Sequence, residues 1–122
     1  MYANEGLIKT YTAGGTINQY RIVKFGASDK EALQASDATD KFAGVVGLPT
    51  GTTAALGQSV DVIKSGVADV DYGGTIARGD YLTSDANGKA IVATSGNNII
   101  GTAEKSGVSG DLGAVHIQKS KV

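Results

Sequence analysis

The single histidine of the chain, His116, is the first residue to consider for acid–base chemistry. A general base needs a partner that orients it and a cleft that admits a substrate. His116 instead lies within an alternating run, in opposite phase to Val115 and Ile117, as expected for a partly exposed strand residue. A metal site would need more ligands than one histidine provides. We therefore interpret His116 as a structural residue.

Carboxylates are the other side chains that could form a site. Asp69 and Asp71 share one face of a predicted strand, and Asp61 lies in the preceding strand. Such a group could hold calcium, although acid pairs on a solvated face are far commoner. The segment 85–89, Asp-Ala-Asn-Gly-Lys, resembles the start of a calcium loop, but its fifth position and the later twelfth position carry no side-chain oxygen. Its Asp and Asn are better suited to a turn.

Patterns for nucleophilic catalysis and phosphate binding are absent from the sequence. The pentapeptide Gly-x-Ser-x-Gly does not occur, and segment 107–110 is one residue short of it. Neither the phosphate-loop nor the dinucleotide pattern is present, despite 18 glycines. The lack of cysteine excludes disulfides, cysteine-ligated zinc and thiol catalysis. We predict no catalytic residue, no cofactor and no metal, and hence a protein that is not an enzyme.

Two patterns suggest binding, and both have simpler explanations. The tripeptide Arg-Gly-Asp at 78–80 matches the integrin-binding motif, but three residues match often by chance, and here they precede a strand. Tyr20, Arg21, Lys24 and Phe25 come closest to a stacking platform for single-stranded nucleic acid, but the two aromatics lie on opposite strand faces. With 11 basic and 12 acidic residues, the chain gives no reason to expect a nucleic-acid or membrane partner.

The elements that would position these residues are strands. The chain has 122 residues, the size of one domain, and its 18 Gly, 11 Thr and 20 Val plus Ile favour β-structure. Apolar residues recur at a spacing of two, in about eight or nine short runs separated by turn signals. We predict an all-β, compact small barrel or sandwich with little helix, formed by residues 7–122 and preceded by a flexible arm, 1–6. Predicted strands cover 18–25, 32–36, 42–47, 59–64, 67–70, 80–83, 90–93, 99–102 and 113–118.

Several connections carry specific signals. The Gly-Gly pair in 13–16 predicts a tight hairpin, and the Asn-Gly pair in 85–89 predicts another. Segment 28–35 has a helical capping pattern, but a short strand at 32–36 is favoured because turn residues bracket it closely. A brief turn of helix is expected at 73–76.

A weak internal echo links two parts of the chain. Segments 42–47 and 98–102 each form a predicted strand with a glycine exit and a flexible loop. Segments 56–65 and 112–120 then each begin with Leu-Gly and contain an alternating strand that ends in Lys-Ser. These units predict pseudo-symmetric halves of one barrel. The alternative is that small β-proteins commonly reuse such hairpins.

Short glycine-based segments follow one another in a characteristic order along nearly the whole chain. They are Ala-Gly-Val-Val-Gly at 43–47, Gly-Gln-Ser-Val-Asp-Val at 57–62, Ser-Gly-Val-Ala-Asp-Val at 65–70, Gly-x-Ile-x-x-Gly-Asp-x-Leu-Thr at 74–83, Gly-Lys-Ala at 88–90, Ile-Gly-Thr-Ala at 100–103 and the strand 113–118. This succession resembles the small capsid decoration, or cement, proteins of tailed phages. Each segment is weak alone, and the order and spacing carry the resemblance.

The resemblance implies a β-barrel-like domain that binds the outside of an assembled phage head and stabilises it. The implied partner is the major capsid protein, the location is the outer capsid surface of the virion, and synthesis takes place in the host cytoplasm. Members often form homo-oligomers, with a trimer favoured. Arms of decoration proteins commonly order on the capsid, so Tyr2, Asn4 and Glu5 are the expected capsid contacts. A frayed terminus is the alternative for this arm.

A second class of function stays open from the residues themselves. The β-rich composition also suits a glycan- or receptor-binding module of a phage fibre or a bacterial surface protein. Exposed tyrosines among Tyr11, Tyr72 and Tyr81 could stack on sugars, although core packing is the commoner use for at least two of them.

Overall fold

The computed structural model describes residues 7–48 and 52–121, without the side chains of 120 and 121. Within these ranges the chain forms twelve strands and no helix, which confirms the all-β prediction. The strands are β1 Ile8–Ala13, β2 Ile17–Asn18, β3 Ile22–Phe25, β4 Glu31–Gln34, β5 Phe42–Val46, β6 Thr53–Ala54, β7 Ser59–Ile63, β8 Gly66–Asp71, β9 Tyr81–Ser84, β10 Ala90–Val92, β11 Asn98–Ala103 and β12 Leu112–Lys121. The described part contains no helix that is long and apolar enough to cross a membrane.

Five strands close into a barrel in the order β1-β4-β3-β5-β7. β1 pairs in parallel with β4 and antiparallel with β7, so it closes the barrel between two strands that are distant in sequence. Alternate residues of each strand point inward and fill the barrel with side chains. The interior residues are Tyr11, Ala13, Ile17, Val23, Ala32, Ala43, Val46, Ala54, Val60 and Val62.

The other large layer is a five-stranded sheet with the order β10-β9-β11-β12-β8. A second core lies between this sheet and the barrel wall, and includes Phe42, Val45, Tyr72, Leu82, Ile100 and Val115. The neighbours Ile22 and Val23 in β3 are both fully buried, with Ile22 in this second core and Val23 in the barrel interior. The strand is therefore packed on both sides.

The hairpin predicted at 13–16 is wrong. β1 ends at Ala13, and the next strand pairs with β6 instead, with Ile17 opposite Ala54. Gly14 lies beside the Glu31 side chain, and a Cβ at this position would displace the end of that side chain. The helical turn predicted at 73–76 is also wrong, since this segment is irregular and forms an isolated bridge at Ile76.

The Asn-Gly hairpin is confirmed between β9 and β10. Gly88 has φ of 76°, a conformation that L side chains rarely adopt. The Asp85 carboxylate accepts hydrogen bonds from the backbone N–H groups of Asn87 at 2.8 Å and Lys89 at 2.9 Å. The Asp85 carboxylate therefore stabilises the turn, as the sequence indicated. The strand favoured over a helix at 32–36 is likewise confirmed as β4.

The internal echo corresponds to two antiparallel strand pairs, β5 with β7 and β11 with β12. The interpretation as two halves of one barrel is nevertheless wrong. The first pair is continued by β3 and β1 into the closed barrel, whereas the second is continued by β9 and β8 into the open sheet. The two similar strand pairs therefore lie in different layers because they pair with different neighbouring strands.

Tyr72 anchors the sheet from within the second core. Its ring is fully buried, and its hydroxyl donates to the carbonyl oxygen of Lys105 at 2.6 Å and lies 3.3 Å from that of Ala114. A Cβ on Gly113 would lie 2.0 Å from Cζ of this ring, so the strand must carry glycine there. Burial raises the pKa of Tyr72 above its usual 10.0.

We predict that Tyr72 makes the protein less stable at high pH. The unfolded chain loses the Tyr72 proton above pH 10.0, whereas the folded chain retains it, so the free energy of unfolding falls as pH rises above this value. Tyr72→Phe should remove this contribution to the loss of stability at alkaline pH. At neutral pH it should lower the free energy of unfolding by about 1 kcal/mol, since two carbonyls lose their donor. Urea unfolding from pH 8 to 11 measures both effects. Tyr81→Phe, at an exposed position, is the control, and an alkaline loss that is equal in both variants contradicts the prediction.

Candidate functional site

Three strands of the barrel bring one long side chain each to the same end. Lys9 of β1, Phe25 of β3 and Lys64, directly after β7, are each two residues from a side chain in the barrel interior. Those interior neighbours are Tyr11, Val23 and Val62. Because alternate residues share a strand face, the three side chains lie around the mouth of the barrel.

Lysine ammonium groups contact two aromatic rings at this mouth. Nζ of Lys64 lies 4.9 Å from the ring centre of Phe25 and 5.2 Å from that of Tyr11, and it donates to the Tyr11 hydroxyl at 2.7 Å. Nζ of Lys119 lies 5.4 Å from the Phe25 ring, and Nζ of Lys9 lies 5.1 Å from the Tyr11 ring. We call these five residues the lysine–aromatic cluster.

The cluster concentrates positive charge. Desolvation and the charge of Lys64 lower the pKa of Lys119, while Tyr11 acts weakly in the opposite direction. Each cation–π contact at an exposed site contributes about 0.5–1 kcal/mol, which partly offsets the repulsion between the ammonium groups. Among the described residues, ion pairs are formed by Arg21 with Asp71 and by Lys24 with Asp40, and none involves a lysine of the cluster.

A groove of about 320 Å³ adjoins the cluster, between the barrel wall and the five-stranded sheet. Its lining residues are Phe25, Lys41, Phe42, Asn98, Ile99 and Lys119. Asn98 donates through Nδ2 to the carbonyl oxygens of Thr39 and Asp40, which ties the sheet to the barrel at this point. Lys41 thus adds a fourth ammonium group next to the cluster, and its neighbour Asp40 is already paired with Lys24 at 3.5 Å.

The chain enters the described structure at the same end. The backbone N–H of Leu7 donates to Oγ of Ser65, and the N–H of Lys64 donates to the carbonyl oxygen of Leu7, both at 2.7 Å. The predicted contacts Tyr2, Asn4 and Glu5 lie outside the described residues.

Asp69 and Asp71 are both partly buried on one face of β8, as predicted, with Ala114 and Leu112 of β12 opposite them. His116 is half-buried in β12, between Thr102 of β11 and Val67 of β8. Asp71 pairs with Arg21 at 3.2 Å, and Asp61 accepts a hydrogen bond from the Thr10 hydroxyl at 2.9 Å. Among the described residues, no three His, Cys, Asp or Glu side chains are placed to share a metal ion.

The remaining predicted binding residues have local roles. The Asp80 carboxylate of the Arg-Gly-Asp segment accepts from the N–H of Ala77 at 2.9 Å, within its own turn. Tyr11 and Tyr72 are buried, which confirms core packing for two of the three tyrosines, and Tyr81 is 59% exposed. Of the three tyrosines considered for stacking on sugars, one is therefore exposed enough to do so.

Sequence reasoning missed the lysine–aromatic cluster. It considered Phe25 with its strand neighbours, whereas the actual partners are Lys64 and Lys119, far along the chain. One signal for the cluster was present in the echo, because both echo units end in Lys-Ser. Those two lysines meet over the Phe25 ring.

A similar fold is found in a solved crystal structure, that of the head fibre gp8.5 N base in bacteriophage phi29. The two chains superpose with a TM-score of 0.69 and 21% sequence identity, over 95% of this chain and 97% of that chain. The protein thus has the fold of a phage head-fibre base. No match was found among curated proteins.

A family profile described as phage cement protein matches residues 3–117. The chain belongs to the phage cement protein family, and the resemblance drawn from its glycine-based segments is confirmed. It is a phage structural protein, and its family implies binding to the phage capsid and a place in the virion. Membership also supports a structural rather than a catalytic role.

Proposed function

We propose that the protein decorates the outer surface of an assembled phage head, contacts the major capsid protein and stabilises the shell. The family match over residues 3–117 is the observation that carries this proposal. A protein that binds only the assembled lattice favours assembly by mass action. Contacts that span two or more shell subunits oppose their separation, and many bound copies multiply the effect of weak individual contacts.

The barrel end that holds the lysine–aromatic cluster is the proposed docking face. Phe25 is 46% exposed there, and the exposed side chains of Leu7 and Ile8 lie where the arm joins the domain. In this account the arm, with Tyr2, Asn4 and Glu5, extends the contact across the shell. Copies of the protein are made in the host cytoplasm and associate on the preformed head, with a trimer at each site as the favoured arrangement.

Retention on heads is predicted to depend on the arm. Tyr2→Ala should weaken binding by about tenfold or more, as expected for an aromatic anchor at an interface, without changing the thermal unfolding temperature. Binding isotherms on purified heads measure the loss. Tyr81→Ala serves as the matched control, since this exposed tyrosine lies in β9 of the sheet. If both variants bind heads equally well, the arm is not part of the docking face.

The stabilising role is tested on the heads themselves. Undecorated heads are heated with and without saturating protein, and DNA release is followed with an intercalating dye. The proposal predicts release at a higher temperature in the presence of the protein, reached at the concentration that saturates binding. Binding without any change in the release temperature would contradict the stabilising role.

A further inference from the structure

We propose that the lysine–aromatic cluster, together with Lys41 and the adjoining groove, binds an acidic segment of the shell protein. This inference rests on the proposed decoration function and assigns the chemistry of its docking face. The segment would place side-chain carboxylates against Lys41 and Lys119 and an apolar side chain against the Phe25 ring.

The charge distribution supports an anionic partner. The whole chain carries a net charge of −1, so the positive excess at this end is local and does not follow from composition. Three ammonium groups lie around two rings, and no lysine of the cluster forms an ion pair within the described part of the chain. A partner with carboxylates relieves this repulsion and gains complementarity of charge.

The shape and lining of the groove favour a protein segment. Its volume of about 320 Å³ suits a few side chains. Phe25 and Phe42 supply an apolar surface, and Lys41 and Lys119 supply cations beside it. A side chain with an aliphatic stem and a terminal carboxylate, such as glutamate, matches both parts. The partial desolvation that lowers the pKa of Lys119 also strengthens its attraction to a bound carboxylate.

Nucleic acid fits this surface less well. A single-stranded backbone is usually bound along a positively charged groove with several stacking rings, over about 4 or more nucleotides. Here the exposed ring is Phe25, while Tyr11 is buried in the barrel. The cluster contains no arginine, the residue that pairs with phosphate in a bidentate manner.

Charge reversal at the groove tests the inference. Lys41→Glu with Lys119→Glu should weaken binding to purified heads by about tenfold or more, and wild-type binding should weaken as salt is raised. Lys105→Glu is the matched control, because this exposed lysine lies after β11, at the far end of the sheet from Lys119. The control should bind like the wild type, and co-sedimentation over a range of concentrations measures all three proteins.

The outcomes separate the two proposals. If the wild type does not bind heads, the decoration function fails. If the wild type binds and the double variant binds equally well, or the control loses as much, the acidic-segment inference is overturned. Lys41→Gln with Lys119→Gln, checked by thermal unfolding, should show an intermediate loss and guards against misfolding of the charge-reversed variant. Binding of a single-stranded oligonucleotide that is abolished by the double reversal would also overturn the inference.

Discussion

Gly113→Ala should lower the free energy of unfolding by about 3 kcal/mol or more. A Cβ at this position would lie 2.0 Å from Cζ of Tyr72, and the ring is fully buried among other core residues. Its hydroxyl is also tethered to the carbonyl oxygen of Lys105 at 2.6 Å. Overpacking a core commonly costs about 1–3 kcal/mol, and a contact this short belongs at or above the upper end. Urea unfolding at neutral pH measures the loss.

The matched control is Gly47→Ala. A Cβ on Gly47 would lie 3.6 Å from Cδ1 of Ile63, an ordinary van der Waals contact. This variant should change the free energy of unfolding by less than about 1 kcal/mol in either direction, with a small gain from the reduced entropy of the unfolded chain. Similar losses in the two variants would show that the contact between Gly113 and Tyr72 is not what requires glycine.

Leu82→Ala should cost about 2–5 kcal/mol, the range found when a buried leucine is truncated. Leu82 is fully buried in β9, in the core between the sheet and the barrel wall. Its removal leaves a cavity that the surrounding strands cannot fill, because β9 is held by hydrogen bonds to both β10 and β11. Denaturant unfolding gives the loss directly.

Val92→Ala is the control for this truncation. Val92 lies directly opposite Leu82 in the β9–β10 register but is 40% exposed. The prediction is a loss below about 1 kcal/mol, since little apolar surface is returned to water. If the Val92 variant were destabilised as much as the Leu82 variant, the stability of this region would depend on strand pairing rather than on the second core.

Local patterns predicted the fold class because they depend on neighbouring residues. Alternation in β12, and the Asn-Gly turn of β9 and β10, follow from backbone geometry alone. The choice of partner for each strand, by contrast, does not follow from local backbone geometry. β1 pairs with β4 and β7, which are distant along the chain. The hairpin predicted at 13–16 was wrong for this reason. The two-residue strands β2 and β6 are likewise set by tertiary packing.

Glycines illustrate both what could be predicted and what could not. The sequence analysis attributed the Gly-Gly and Asn-Gly pairs to tight turns, and this is correct for Gly88. Gly101, in the Ile-Gly-Thr-Ala segment that contributed to the family resemblance, has a different role. A Cβ there would lie 2.0 Å from the carbonyl oxygen of His116 in the paired strand. The pattern was recognised, but its physical cause is a close approach of backbones that only the structure shows.

The docking face was predictable only in part. The arm was proposed from the resemblance, whereas the cluster beside it depends on bringing together Lys9, Phe25, Lys64 and Lys119 from four parts of the chain. Such a convergence has no local pattern, apart from the repeated Lys-Ser at the ends of the two echo units. Charge counting also concealed it, because the net charge of −1 averages over the whole surface.

Binding of the protein to assembled phage heads can be measured by co-sedimentation. Purified protein is mixed with heads from the source phage, and separately with unassembled major capsid protein, and the bound partner is identified by mass spectrometry. We expect saturable recovery with heads, at a fixed ratio to the major capsid protein, and no recovery with unassembled subunits. Absence of binding to heads, or binding to cell-surface glycans in their place, would contradict it.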